Sequence, residues 1–407
     1  MSRTGQAGRK GDGVRSDCWI SVEPRESGGV VVSVSSIVES MYGAAIESDI
    51  RKGLDVLGVK HAAVEVEDAG ALPFVIAARL EAAAKRAIPD LATELLPDAM
   101  EWTKYGTTRD RFRRSRLYLP GDQAKLMINA GLHGPDGVIL DLEDSVAHSE
   151  KDAARYVVRN ALRTVDFCGA ERMVRINQLP EGLADLDYIV PHNVHIILIP
   201  KCESAEQVTS VDERAGEILA GLGVDAPVYL MPIVESALGC LRALEIATAS
   251  PNVVALTIGL EDYTADIGTQ RTNEGRESFW ARSQVVNAAR AARVQPIDTV
   301  FSDVADSEGL LQSVLEAKAL GFDGKGCIHP RQIEVINRGF APADAEVEKA
   351  RRIVIAFEKA EAEGLGVVSL GSKMIDPPVV KRALRTVKLA IASGVLPDDW
   401  REGGEDA

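Results

Sequence analysis

Aromatic residues are scarce in this chain of 407 residues, at 5% of the total, and positive charges are fewer than negative ones. The net charge of −15 disfavours nucleic acid and anionic membranes as main partners. The few aromatics leave little surface on which bases could stack. No apolar run approaches the roughly 18 residues that cross a bilayer, and the basic, polar start has no signal-peptide core. These absences predict a cytoplasmic protein that binds neither nucleic acid nor membrane.

Cysteines are also few, and their spacing excludes two common kinds of site. There are five, an odd number, and none forms a C-x-x-C pair. Such scattered cysteines argue against a disulfide framework and against a zinc knuckle. We therefore expect free thiols at these positions: Cys18, Cys168, Cys202, Cys240 and Cys327.

From Ser115 onwards, strand and helix signals alternate with a period of about 30 residues, which is typical of a parallel sheet. About eight such units predict a (β/α)₈ TIM barrel. A doubly wound sheet is the alternative, but Pro120-Gly121-Asp122 after the first strand is not the G-x-G-x-x-G turn of that fold. The strand candidates are residues 117–119, 138–142, 173–176, 196–199, 228–234, 253–258, 297–301 and 326–328.

The part before the barrel has a different pattern. Residues 18–88 combine short strand signals with two helical segments, which predicts a small α+β unit. Residues 1–15, rich in Gly and Arg, are predicted to be mobile. Residues 91–112 contain Pro97 and a charged run, and we interpret them as a coil-like linker.

Charged side chains follow most of the predicted strands, at the edge of a parallel barrel where catalytic groups collect. Glu235 and Asp262 follow two successive strands. Either acid alone would more often be a helix cap, but together they predict a Mg²⁺ site with few protein ligands. Glu261 is the less favoured ligand, because neighbouring side chains on a strand point in opposite directions. Three further acids follow the second strand: Asp141, Glu143 and Asp144.

Arg175 and Lys201 are the cations available to balance these acids. The planar fork of Arg175 suits a carboxylate or an enolate, although a structural ion pair is the alternative. Ser115, Cys202 and Cys327 lack the base and the orienting partner that a nucleophile needs. A metal and a cationic clamp without a nucleophile indicate carbon–carbon chemistry beside a carboxylate.

These motifs resemble the citrate lyase beta subunit, in the HpcH/HpaI aldolase superfamily with the malyl-CoA lyases, over residues 113–395. The resemblance implies that Glu235 and Asp262 bind Mg²⁺ and that Arg175 binds the substrate carboxylate. It also implies that Asp376 is the catalytic acid–base, delivered from a neighbouring subunit's C-terminal lid. The matching segments are Arg114-Ser-Arg-Leu-Tyr-Leu-Pro-Gly121, Leu140-Asp-Leu-Glu-Asp144, Val174-Arg-Ile-Asn177, Ile199-Pro-Lys201, Ile233-Val-Glu-Ser236, Gly259-Leu-Glu-Asp262, Asp298-Thr-Val-Phe-Ser-Asp303, Gly321-Phe-Asp-Gly-Lys-Gly-Cys-Ile-His-Pro330 and Gly371-Ser-Lys-Met-Ile-Asp-Pro-Pro378.

Residues 13–90 are similar to the citrate lyase acyl carrier (gamma) subunit, in which a serine carries a phosphoribosyl-dephospho-CoA-type prosthetic group. Ser16 is the best match, although Arg15-Ser16-Asp17 departs from the Ser-Gly-Asp pattern of that family. The other matching segments are Ile20-Ser-Val-Glu-Pro24, Ser36-Ile-Val-Glu-Ser-Met-Tyr-Gly43 and Gly70-Ala-Leu-Pro-Phe-Val-Ile-Ala-Ala-Arg79. The expected organisation is a carrier-like domain (13–90), a linker (91–112), a TIM-barrel lyase domain (113–340) and a C-terminal helical extension and lid (341–407).

The resemblances together predict a Mg²⁺-dependent lyase that splits a citryl-type 3-hydroxy-3-carboxyacyl thioester into oxaloacetate and an acetyl thioester. Lys201, Asp141, Glu143 and Asp144 would complete the substrate site. The alternatives are a malyl-CoA or β-methylmalyl-CoA lyase with a vestigial carrier, or a non-catalytic carrier or scaffold. Expected partners are the thioester, a small 2-oxo acid, an alpha-like transferase subunit and further copies of the chain in a homotrimer or larger assembly.

Overall fold

The computed structural model describes residues 4–362, 368–370 and 373–401. Its first unit is a four-stranded sheet with two helices on it. The strand order is β1-β2-β4-β3, with β3 parallel to β4 and the other pairs antiparallel. The elements are β1 Gly5–Gly8, β2 Cys18–Pro24, β3 Val30–Ser36, α1 Glu39–Val56, β4 Ala62–Asp68 and α2 Pro73–Ala87.

Strand β1 corrects the prediction of a mobile start. It pairs with β2 as an edge strand, although GQAG has none of the apolar alternation that marks a strand. Glycine is needed here because a Cβ at Gly5 would lie 2.1 Å from the carbonyl oxygen of Ala83 in α2. At Gly8 the backbone has φ +92°, which is strained for other residues. Close packing on α2 therefore orders this segment.

The second unit is a closed barrel of eight parallel strands, in which the last strand pairs with the first. This confirms the predicted TIM barrel, and each predicted strand overlaps an observed one. The strands are β5 Ser115–Pro120, β6 Gly137–Asp141, β7 Glu171–Arg175, β8 Ile196–Ile199, β9 Tyr229–Val234, β10 Ala255–Ile258, β11 Gln295–Asp298 and β12 Gly324–Cys327.

Helices cover the outside of the barrel. The apolar outer side of each strand packs against them, because a parallel sheet is buried on both faces. The helices are α3 Ala124–Met127, α4 Lys151–Thr164, α5 Leu186–Ile189, α6 Ala205–Leu222, α7 Ala237–Leu241, α8 Ala243–Ala247, α9 Leu260–Asp266, α10 Phe279–Ala292, α11 Ser307–Leu320 and α12 Arg331–Phe340. Short 3₁₀ segments lie at Glu101–Thr103, Ala130–His133, His148–Glu150, Glu181–Asp185 and Val190–His192.

The N-terminal unit packs firmly on the barrel. Helix α2 lies against α4, and one apolar core runs through both units. In this contact Arg159 of α4 donates to Glu81 of α2 at 2.6 Å, and both side chains are fully buried. A buried ion pair of this kind holds two helices in one arrangement, because separating them would leave both charges without a partner.

Residues 91–112 also differ from the prediction of a coil-like linker. Their polar groups bond to the barrel along the segment: the Met100 amide donates to the Arg163 carbonyl at 2.9 Å, and the Tyr105 hydroxyl donates to the Ala170 carbonyl at 2.6 Å. The Arg109 guanidinium reaches the Val253 carbonyl at 2.9 Å. These hydrogen bonds hold residues 91–112 against the barrel, so the segment does not act as a flexible tether for the N-terminal unit.

Beyond the barrel, two helices pack on each other with their own apolar core. They touch the barrel near the amino ends of its strands, where the Arg114 guanidinium donates to the Ser393 hydroxyl at 3.0 Å and Arg385 pairs with Asp323. Gly371 and Ser372 of the predicted lid lie outside the described residues. The elements are α13 Asp344–Ala362, β13 Val368–Leu370, β14 Lys373–Ile375 and α14 Pro377–Ala392. Within the described ranges, no helix combines the length and apolarity needed to cross a bilayer.

Candidate active site

A cavity of about 400 Å³ opens at the carboxyl ends of the barrel strands. In a TIM barrel this end carries the variable loops and the catalytic groups. The cavity contains both predicted metal ligands, the predicted arginine clamp and two residues that the sequence argument did not single out. Its polar lining includes Arg116, Tyr118, Asp141, Arg175, Glu235 and Asp262.

Glu235 is a buried carboxylate whose negative charge is balanced by few neighbouring groups. It follows β9, and its Oε2 accepts one hydrogen bond from the Lys201 amide at 2.8 Å. The pKa of Glu235 is raised to about 7, mainly by burial and also by the charges of Asp262 and Glu143, while the Lys201 amide and Arg175 partly offset the rise. An acid in this position is best satisfied by a nearby cation.

The carboxylate of Glu235 rests directly on Gly259. A Cβ at that position would lie 2.3 Å from Oε1 of Glu235. Gly259 ends the strand that precedes α9, and its φ of −112° is open to any residue. The glycine is therefore needed for space rather than for backbone freedom.

Arg175, at the end of β7, forms a two-pronged ion pair with Asp141 at the end of β6. Its Nε and Nη2 donate to the two carboxylate oxygens at 2.7 Å each. Burial would raise the pKa of Asp141, but Arg175 holds it below its ordinary value. The pair orients the guanidinium, and Nη1 faces Glu143 Oε2 at 2.8 Å without hydrogen-bond geometry. Nη1 is thus the part of the fork that is not bonded to Asp141, and Glu143 lies beside it.

Lys201 stands at the centre of the acidic set. It follows β8 with a left-handed backbone (φ 47°), a strained conformation for a lysine. The turn aims its amide at Glu235 while its ammonium lies 3.1 Å from Glu143, 3.5 Å from Asp144 and 3.7 Å from Asp262. Burial would lower the pKa of Lys201, but Glu143 and the other acids raise it. Lys201 therefore stays charged and balances these carboxylates.

The donor set fits a small divalent cation. Glu235 follows β9, and Asp262 lies in the first turn of α9, directly after the neighbouring strand β10. Both supply hard oxygen ligands, and a cation would relieve the burial of Glu235. Across the described part of the chain, no group of three or more His, Cys, Asp or Glu side chains could hold a metal. A metal here would have few protein ligands and would complete its octahedron with water and substrate, as Mg²⁺ does.

Comparisons with known proteins identify the family of this chain. Residues 114–330 match the family described as HpcH/HpaI aldolase/citrate lyase. The chain belongs to this family. Residues 5–87 match a second family, of acyl carrier type, described as the malonate decarboxylase delta subunit (MdcD). The predicted combination of a barrel of the lyase family with an N-terminal acyl-carrier-like unit is confirmed, as is the prediction of an enzyme of this family.

Three relatives illustrate the range of the family. The citrate lyase subunit beta of Leuconostoc mesenteroides subsp. cremoris is 39% identical over 71% of this chain and 97% of its own length. The human mitochondrial citramalyl-CoA lyase is 34% identical over 68% of this chain and 85% of its own length. Among solved structures, the CitE protein of Mycobacterium tuberculosis with magnesium, acetoacetate and coenzyme A has 31% identity and a TM-score of 0.57, covering 70% of this chain and 99% of that one.

Two residues that the family resemblance pointed to lie outside the cavity. Asp376 caps α14, where its side chain accepts a hydrogen bond from the Val379 amide. The contacts of α14 with its own barrel are at the amino ends of the strands. Asp376 is therefore not brought to the cavity by its own chain.

Ser16 belongs to the N-terminal unit but lies towards the end of the barrel that carries the cavity. It is half-buried, with φ 54°, and its amide donates to the Ala69 carbonyl at 2.9 Å. The next residue, Asp17, pairs with Arg79, whose Nη2 also donates to the carbonyl of Asp122 at 2.8 Å. Asp122 comes just after the carboxyl end of β5. This contact brings the Ser16 segment to the same end of the barrel as the cavity.

Arg116 and Tyr118 line the cavity but are not among the site residues predicted from the sequence. Both point inward from β5, and the Tyr118 ring lies beneath the Arg175 guanidinium at 5.4 Å. The sequence carried a signal for Arg116, since a charged residue interrupts a run that is otherwise strand-like. Because the strands were predicted from runs of apolar residues, the predicted strand begins at Leu117 and excludes Arg116.

Proposed function

We propose that this protein is a Mg²⁺-dependent lyase that cleaves a citryl-type 3-hydroxy-3-carboxyacyl thioester into oxaloacetate and an acetyl thioester. The observation that supports it most is the meeting of Glu235, Asp262 and Arg175 at one cavity on the carboxyl ends of the strands. The citrate lyase beta subunits among its relatives support the same substrate class. The CitE structure with magnesium and coenzyme A supports the metal and the thioester.

In this proposal each polar group of the cavity has a distinct task. Glu235 and Asp262 would hold the metal, which when bound polarises the hydroxyl and adjacent carboxylate of the substrate. The Nη1 side of the Arg175 fork, which lies beside Glu143, would bind that carboxylate. Asp141 keeps the fork oriented, and Lys201 with Glu143 and Asp144 would border the substrate.

The reaction is a retro-Claisen cleavage. A base takes the proton of the hydroxyl, the carbon–carbon bond breaks, and the hydroxyl carbon becomes the carbonyl carbon of oxaloacetate. The electron pair of that bond passes to the thioester fragment as an enolate, which takes up a proton to give the acetyl thioester. We propose that Asp376 of a second copy serves as the acid–base, because the chain's own Asp376 is held away from its cavity. Electrostatic stabilisation of the enolate would come from the cations of the site.

The function is tested by cleavage of citryl-CoA with and without Mg²⁺ in wild type, Glu235→Gln and Asp262→Asn. We expect each variant to lose activity by roughly 10²- to 10³-fold, because a metal site with two protein ligands does not tolerate the loss of one charge. Glu217→Gln is the matched control, since Glu217 is an exposed carboxylate of α6 that pairs with Arg214. Near-normal activity of Glu235→Gln or Asp262→Asn at limiting Mg²⁺ would rule that residue out as a ligand. Cleavage of malyl-CoA but not of citryl-CoA would favour the malyl-type alternative.

We further propose that Ser16 carries a CoA-derived prosthetic group and that an alpha-like transferase subunit loads it. The match of residues 5–87 to an acyl carrier family supports this, and so does the contact of the Ser16 segment with the catalytic rim. Intact mass after co-expression with carrier-modifying enzymes tests it, with Ser16→Ala as the comparison. An unmodified wild-type mass, or an adduct that survives Ser16→Ala, would contradict it.

A further inference from the structure

Arg116 is an arginine inside the barrel, in the wall of the catalytic cavity. Its side chain is fully buried. On both sides its register partners are glycines, Gly137 on β6 and Gly326 on β12. The space beside these glycines is filled by Met173 at Gly137 and by Val300 and Tyr118 at Gly326, so the Arg116 side chain is enclosed by closely packed neighbours.

The guanidinium of Arg116 has almost no hydrogen-bond partners. Nη1 lies 2.9 Å from the Met231 sulfur and 3.3 Å from the Thr257 hydroxyl. Nε and Nη2 have no partner among the described residues. A thioether is a weak acceptor, so the charge is not compensated. Burial lowers the pKa of Arg116 to about 10, and the group remains a cation at neutral pH.

Three other fully buried arginines have a carboxylate partner, which Arg116 lacks, whereas the buried Arg172 is held by the carbonyl oxygens of Thr103 and Tyr105. Arg79 pairs with Asp17, Arg113 with Glu171 and Arg159 with Glu81, each at 2.6–2.8 Å. A buried charge without such a partner costs several kcal/mol. An unpaired buried cation in the wall of the cavity is destabilising, and an anionic group of a bound ligand would offset that cost. Arg116 is therefore suited to binding such an anion.

We propose that Arg116 binds the second carboxylate of the substrate and so makes the enzyme selective for citryl-type thioesters. This rests on the proposed function. A citryl thioester bears a carboxymethyl group on the hydroxyl carbon, where a citramalyl thioester has a methyl group and a malyl thioester a hydrogen. With the first carboxylate at Arg175, the carboxymethyl arm would have to reach past Tyr118, which lies two residues from Arg116 on the same face of β5 and 5.4 Å from the Arg175 guanidinium.

The present neighbours of Arg116 can give way to a carboxylate. The Met231 side chain is flexible and adapts to changes in its surroundings. The two unpaired nitrogens present the planar fork that binds a carboxylate through two hydrogen bonds. A site built in this way also rejects substrates without the second carboxylate, because they leave the cation unpaired.

The test compares wild type, Arg116→Met and Arg116→Lys on citryl-CoA and citramalyl-CoA. We expect Arg116→Met to lower kcat/KM for citryl-CoA about 100-fold and to change that for citramalyl-CoA less than about threefold. Arg116→Lys should recover part of the loss because it keeps the charge. Calorimetry with Mg²⁺ gives a second readout, in which Arg116→Met weakens binding of oxaloacetate but not of pyruvate, the 2-oxo acid without the second carboxylate.

The control variant is Arg114→Met. Arg114 pairs with Asp136 at the amino end of the barrel, outside the cavity, and its loss should leave the ratio between the two substrates unchanged. Thermal unfolding separates binding from folding: Arg116→Met removes an unpaired buried charge and should not lower Tm. Equal losses on both substrates, or unchanged cleavage of citryl-CoA and binding of oxaloacetate, would overturn the role of Arg116. If wild type cleaves neither thioester, the proposed function fails, and the oxaloacetate-to-pyruvate comparison still decides the role of Arg116.

Discussion

At the scale of single residues, Gly259 shows how a missing side chain positions a functional one. The Glu235 carboxylate occupies the space that a Cβ at Gly259 would take, at 2.3 Å. The backbone of Gly259 is in an ordinary extended region, and the three nearest atoms that an alanine Cβ would meet all belong to the Glu235 side chain, at 2.3–2.9 Å. A methyl group added at Gly259 should therefore affect metal binding and cleavage more than it affects folding stability.

We expect Gly259→Ala to leave Tm nearly unchanged and to weaken both Mg²⁺ binding and cleavage, the latter on the order of 10²-fold, as a displacement of about 1 Å commonly does. Mg²⁺ titration by calorimetry and steady-state cleavage of citryl-CoA measure the two effects. Gly216→Ala is the control, because a Cβ at Gly216 in α6 would meet nothing within 4 Å. Normal Mg²⁺ affinity in Gly259→Ala would mean that the observed position of Glu235 is not the binding position.

At the scale of elements, the sequence predicts the barrel well because each strand is buried on both faces. Long apolar runs such as 228–234 are unambiguous under that condition. Strand β1 could not be found in this way, because Gly5–Gly8 owes its order to pairing with β2 and to contact with α2. The candidate site, too, is only partly predictable from the sequence. Carboxylates at strand ends are visible in sequence, whereas the contacts of Lys201 depend on a left-handed turn that only the fold reveals.

The contact between α2 and α4 replaces the flexible tether that the sequence suggested. Burial alone would raise the pKa of Glu81, but the hydrogen bonds from Arg159 and Lys85 hold it below its ordinary value. Because the folded-state pKa is lowered, the stabilisation from this carboxylate is present at neutral pH and is lost as the pH falls through that value.

Glu81→Gln should lower the free energy of unfolding by about 3 kcal/mol, because it leaves the buried Arg159 without its closest carboxylate. Glu47→Gln, in an exposed pair with Arg51 on α1, should cost less than about 1 kcal/mol. Urea unfolding at pH 7 measures both. Wild type should unfold in a single transition through which the N-terminal unit and the barrel pass together, because they share one core. Separate transitions in wild type, or equal costs for the two variants, would contradict a fixed N-terminal unit.

At the scale of the whole molecule, the charge of helix α14 and its position on the barrel support the proposal that a second copy of the chain completes the catalytic site. The rim of the cavity is acidic, with Asp144 and Asp262 about half exposed. Helix α14 has no acidic residue and exposes Lys381, Arg382 and Lys388. It contacts its own barrel at the opposite end. A basic helix that cannot reach its own acidic rim is suited to the rim of another copy.

This arrangement predicts that two inactive variants restore each other. Asp376→Ala keeps an intact barrel, and Arg175→Ala keeps an intact Asp376. After subunit exchange of an equal mixture, random assembly joins an intact barrel to an intact Asp376 at roughly one site in four, so activity should return to roughly a quarter of wild type. Exchange is verified by native mass spectrometry of differently tagged subunits, and each variant carried alone through the same procedure is the control. If exchange is complete and no activity returns, Asp376 does not act across subunits, and the acid–base of the reaction must come from the barrel that binds the substrate.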